Sequence, residues 1–181
     1  MSSTLFARVV SIIVAALLAG CTSAVDLTPA DAVPPSEGVV FGRVKMVWKG
    51  ETKTLTSMLG ESTLSVVLLA DGSSNATSVP LRDDGSFYWH LPPGGYTIAG
   101  FEGLTPDLFS RRMKGRIFAR FGARQTLATY VGTLTLLFEA PPGYRMVVAD
   151  DYAQAVKDLA DRFPRLALTS QKDLMVLETA R

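Results

Sequence analysis

The sequence predicts a mainly β protein, an antiparallel β-sandwich with one C-terminal α-helix. Three observations lead there. Apolar residues alternate with period 2 between Val39 and Ala140, turn residues punctuate that region at nearly even spacing, and helical spacing enters only after Asp150. Short strands divided by Gly- and Pro-rich turns are the pattern of a sandwich or barrel.

Each element has its own signal. The β-rich run 39–48 ends at Lys49-Gly50, and the run 62–69 ends at the turn cluster Asp71-Gly72-Ser73-Ser74. Residues 78–82 enter Asp83-Asp84-Gly85, a hairpin signal because Asp and Gly tolerate positive φ. The strand 86–91 follows, with Phe87, Trp89 and Leu91 on one face and His90 on the other. Pro92-Pro93-Gly94-Gly95 turns the chain into 96–101, and further strands are predicted at 115–121, 127–131 and 133–139. Asp151-Tyr152-Ala153-Gln154 resembles a capping box, and Tyr152, Val156, Leu159, Ala160 and Phe163 recur at helical spacing until Pro164. The helix is therefore placed at about 151–163. The apolar piece 174–177 reads as an edge strand or a helix end.

Composition bounds the function. The 181 residues are 48% hydrophobic, which excludes overall disorder, and 18 bases balance 17 acids, which excludes a generally basic nucleic-acid binder. One cysteine excludes an internal disulfide framework, and one histidine excludes a multi-histidine metal centre. No Gly-x-Ser-x-Gly elbow accompanies His90, so the expectation is no catalytic residue, no metal and no cofactor. Asp83 and Asp84 lack EF-hand spacing and read as a turn.

The N-terminus is the most specific part. Arg8 precedes the apolar run 9–19, too short to span ~30 Å of hydrocarbon and of signal-peptide length. It closes on Leu18-Ala19-Gly20-Cys21, which resembles the lipobox of bacterial lipoproteins. That resemblance implies recognition of Leu18, Ala19 and Gly20 by a signal peptidase, cleavage before Cys21, and acylation of Cys21. The implied partner is the lipid bilayer, and the implied location is the cell envelope. Thr22 in place of Asp implies the outer membrane if the host is Gram-negative. Cleavage would remove one base, Arg8, and leave acids and bases balanced at 17 each.

The domains expected are thus a signal peptide at 1–20, a lipidated extended tether at 21–37, and the sandwich with its helix at 38–181. Pro29, Pro34 and Pro35 stiffen the tether, which could hold the domain ~50 Å from the bilayer if fully extended; a docked, folded-back course is also open.

Two blocks resemble the carboxypeptidase regulatory-like, or transthyretin-like, β-sandwich family. One is Gly38-Val39-Val40-Phe41-Gly42-Arg43-Val44. The other runs from Leu81 through the Asp-Gly turn, the aromatic strand and the Pro-Gly turn to Tyr96-Thr97-Ile98. The resemblance implies the fold and carries no catalytic residue with it.

One charged segment stands out. Arg111, Arg112, Lys114, Arg116, Arg120 and Arg124 occur with no intervening acid. Along a strand Arg116, Phe118 and Arg120 share one face and Ile117, Ala119 and Phe121 the other. Two readings fit, a solvated outer face or a patch meeting anionic lipid. The acids Asp150, Asp151, Asp158 and Asp161 suit either the helix dipole or that basic strand. The function expected is a non-enzymatic structural or interaction module at the envelope. The alternatives are a small-ligand or lipid carrier with a cavity between the sheets, or an assembly or pilot lipoprotein of a secretion or surface complex with an envelope protein partner.

Overall fold

The computed structural model describes residues 25–29, 32–53, 64–104, 112–139 and 143–178. Alternation along the strands assembles two sheets. The first contains, in order, β1 (Val25–Asp26), β6 (Ser86–Leu91), β2 (Gly38–Trp48), β9 (Leu127–Phe138) and β10 (Arg145–Ala149). The short β3 (Glu51–Lys53) folds back on β2, and β11 (Thr169–Lys172) runs parallel to the start of β9. The second sheet is β12 (Val176–Leu177), β8 (Arg112–Ala123), β7 (Gly94–Leu104), β4 (Leu64–Ala70) and β5 (Ala76–Pro80). The β2–β9 and β11–β9 pairs are parallel and the other pairs antiparallel.

The inward faces meet as one core. Val40, Val44, Phe87, Trp89, Leu134 and Leu136 of the first sheet pack with Leu64, Val66, Ile98, Phe101, Ile117 and Phe121 of the second. Phe87 and Trp89 stack with centroids 4.0 Å apart. Among the described residues the fold is therefore the mainly β sandwich with one helix expected from patterning. The helix α1 (Tyr152–Arg162) covers the outer face of the first sheet, giving a second cluster of Val39, Phe41, Tyr88, Ala128, Tyr130, Leu159, Phe163 and Leu27. Both faces of β2 and β6 are thus buried near Phe41 and Tyr88.

A bulge lets β9 serve both clusters. Pairing with β2 jumps from Phe41–Tyr130 to Arg43–Thr133, so Gly42 faces two residues, Val131 and Gly132. One extra residue flips the alternation. Ala128 and Tyr130 point to the helix, whereas Leu134, Leu136 and Phe138 point into the sandwich. Gly132 carries φ +102°, and a Cβ there would lie 2.8 Å from Val148 Cγ1. The two strands predicted at 127–131 and 133–139 are consequently one bent strand.

Several local expectations are corrected. Asp83-Asp84-Gly85 does turn the chain, with the Gly85 N–H donating to the Arg82 carbonyl at 2.8 Å. Yet it joins β5 of the second sheet to β6 of the first and is not a hairpin. A turn signal encodes a reversal, and the edge that β6 finds is set by its six-residue register with β2. The strand placed at 78–82 spans 76–80 instead. At the helix, Asp151 is the N-cap residue but makes no side-chain capping bond. Asp150 Oδ1 accepts the Tyr152 N–H at 3.1 Å, and Gln154 bonds Asp158. Among the described residues Asp158, Asp151 and Asp150 pair with Arg43, Lys45 and Lys172, and not with the basic strand.

Candidate functional site

Of the two courses open to the tether, extended or folded back, its described residues take the docked one. Val25 and Asp26 pair with His90 and Trp89, and the Leu27 N–H donates to the Tyr88 carbonyl at 2.7 Å. Leu27 is 1% exposed because it enters the cluster under the helix. Leu27, the apolar residue between Asp26 and Thr28, helps close that cluster and gains burial free energy. Arg82 clamps the segment. Its Nη2 donates to Asp26 Oδ2 and to the Leu27 carbonyl, each at 2.7 Å. Its guanidinium also lies 5.4 Å from the Tyr88 ring centroid, a cation–π geometry.

The same segment is held again before β2. His90 Nδ1 contacts the Glu37 carboxylate. Gln125 donates to the Pro35 carbonyl at 2.9 Å, and the Thr126 N–H donates to the Glu37 carbonyl at 3.0 Å. His90 therefore sits on the N-terminal segment, where sequence alone left it an outward strand residue.

Around Tyr88 the charges alternate. Arg43 reaches Asp158 at 3.4 Å and Asp84 at 3.9 Å, while Arg162 reaches Asp84 at 3.7 Å and lies over the Tyr88 ring. Burial alone would raise the Asp84 carboxyl. Hydrogen bonds from the Ser86 hydroxyl and N–H, with Arg162 and Arg43 nearby, hold it below its ordinary value. Burial pushes the Tyr88 phenol up. Sequence reading missed Arg43, Arg82 and Arg162. For Arg43 the signal was the unbroken apolar run Val39-Val40-Phe41, which shows that both faces of β2 are covered and puts the cation after it at a border; Arg82 and Arg162 had no such local signal.

The basic segment forms β8. Arg112, Lys114, Arg116 and Arg120 lie on its exposed face, and Ile117, Ala119, Phe121 and Ala123 are buried behind them. Arg120 is held by Asp71 at 3.0 Å and Glu178 at 3.2 Å, and Arg124 by Asp173 at 3.5 Å. Among the described residues Arg112, Lys114 and Arg116 have no ion pair. Beside them a groove of about 420 Å³ is lined by Val67, Ala99, Glu102, Lys114 and Arg116. A second, of about 330 Å³, is lined by Ser65, Leu104, Arg112 and Met113. Both open on the second sheet and not between the sheets. Arg111, and the residues Leu18, Ala19, Gly20 and Cys21, lie outside the described residues.

Among the described residues, no helix is long and apolar enough to cross a membrane, and no group of three or more His, Cys, Asp or Glu could hold a metal ion. Compared with known proteins, the chain matches no family model, no curated protein and no solved structure.

Proposed function

We propose that this chain is an envelope lipoprotein, anchored through acylated Cys21, whose β-sandwich is a non-enzymatic structural or interaction module. The observation that carries the reading is Leu18-Ala19-Gly20-Cys21 directly after an apolar run of signal-peptide length, with the chain's single cysteine in the motif. A thiol is the nucleophile that forms the thioether, and two or three acyl chains give stable anchoring at about 0.8 kcal/mol per buried CH₂. The sole histidine is engaged with Glu37 in the N-terminal docking, which supports a structural role for it.

Mass spectrometry of protein extracted from membranes should find an N-terminal Cys21 bearing acyl chains. Replacement by Cys21→Ser should move the protein to the soluble fraction. An intact Met1 terminus or a free thiol at Cys21 overturns the reading. A carrier reading has one observation in its favour, the 420 Å³ groove with apolar Val67 and Ala99 beside Lys114 and Arg116. That lining suits an amphiphile with an anionic head, and a fluorescent fatty acid displaceable by its unlabelled form would test it.

A further inference from the structure

We infer that the end of the sandwich where the N-terminal strand leaves the domain lies against the lipid headgroups, and that the Arg112–Lys114 end points away from that membrane. This rests on the Cys21 anchor proposed above and adds the orientation it imposes.

The direction of exit follows from register. β1 is antiparallel to β6, with Asp26 opposite Trp89 and Val25 opposite His90. Followed back from Leu27, the chain therefore climbs toward Leu91 and the 92–95 turn. That turn shares its end of the sandwich with two others. Gly94 pairs with Ala123, ahead of the 124–126 turn, and the Asp71 N–H donates to the Gly95 carbonyl.

The length of the leash follows from docking. Four peptide steps separate Cys21 from Val25, a reach of at most ~14 Å. The whole stretch 21–37 left free would reach ~55 Å. Leu27 burial, the Asp26–Arg82 pair and the Glu37–His90 contact remove that freedom. The acyl chains must enter the bilayer close to Val25, which brings the 92–95 turn to the headgroup layer.

The surface there suits contact without insertion. Among the described residues its charges are paired within the protein, as Glu37–His90, Arg120–Asp71 and Arg124–Asp173. Its turns carry Pro93, Gly94 and Gly72, with no protruding aromatic side chain among these three. Arg112 stands eleven residues from Ala123 along β8, ~36 Å away. At physiological salt the Debye length is ~8 Å, so the cations at that end add nothing to the hold on the anchoring bilayer.

The acylated protein in phosphatidylethanolamine–phosphatidylglycerol vesicles containing a nickel-chelating lipid tests this. Because Cys21 is the only native cysteine, Pro93→Cys and Lys114→Cys each give one spin-labelling site. Relaxation by headgroup nickel should be several-fold stronger at position 93 than at 114. A flexible Gly/Ser insertion of about a dozen residues before Val25 should lower the value at 93 toward that at 114. Equal relaxation at both sites, stronger relaxation at 114, or no response to the insertion overturns the orientation. Absence of acyl chains on Cys21 in the starting protein, read by mass, instead overturns the anchor itself.

Discussion

Three single residues, Gly132, Arg82 and Asp84, each set a local property that can be tested by substitution. Gly132 takes a backbone conformation that L side chains rarely adopt, against Val148 Cγ1. Replacing it with Val should destabilise the fold by ~1–3 kcal/mol, read as a lowered urea midpoint with an unchanged slope. Arg82 joins Asp26, the Leu27 carbonyl and the Tyr88 ring. Arg82→Ala should speed amide exchange at Leu27, while amides of Ile98 and Ala119 in the second sheet stay protected. Asp84 has its folded pKa depressed, so its contribution is present above the ordinary carboxylate range and lost as pH falls through the lower folded value. Asp84→Ala should lower stability near neutral pH and flatten the acid limb of the stability–pH curve. A wild-type acid limb in that variant would remove Asp84 as its source.

At the scale of elements, the helix behaves as a lid on the first sheet. α1 buries Leu159, and Phe163 follows at its C-cap with an edge contact to Tyr88, centroids 5.0 Å apart. Truncating Phe163 to Ala removes that contact and opens the cluster that also holds Leu27. The expected loss is ~3–5 kcal/mol, measured by thermal or urea unfolding. Because Leu27 shares the cluster, the same variant should loosen the N-terminal segment, seen as faster proteolysis there. Helix and N-terminal segment share one apolar cluster on the outer face and are expected to loosen together. β1 alone, with two paired residues, could not hold it.

For the whole molecule the charge balance decides how it is held. With 17 acids and 17 bases left by the proposed cleavage before Cys21, the chain would have no net field to draw it to an anionic surface. If the proposed Cys21 anchor holds the chain, membrane association should survive a rise from about 0.1 M to 1 M salt, which shortens the Debye length from ~10 Å to ~3 Å. Release by salt in a sedimentation assay would instead assign the hold to the exposed cations of β8. Docking of residues 25–29 would also shorten the proposed tether, so that the domain would report the position of the proposed Cys21 anchor.

The sequence by itself determined the class of fold, the strand 86–91 to the residue, the helix within one residue at each end, and the anchoring motif proposed to act. These are local properties. Alternation, turn chemistry, helical spacing and a four-residue motif are each complete within a short window. Tertiary structure alone decided which sheet each strand joins, since the 83–85 turn reads the same whether it closes a hairpin or crosses between layers. It also decided that 25–29 docks. Leu27 is one apolar residue among polar neighbours, and its partners Tyr88, Tyr130 and Phe163 come from three distant segments. The site was legible as residue types on the faces of β8. Which of its cations are neutralised was not legible, because Asp71, Asp173 and Glu178 approach Arg120 and Arg124 only after folding across sequence gaps of 49 to 58 residues. Burial and ion pairing depend on the chain's return to itself, and that return is a property of the packed molecule.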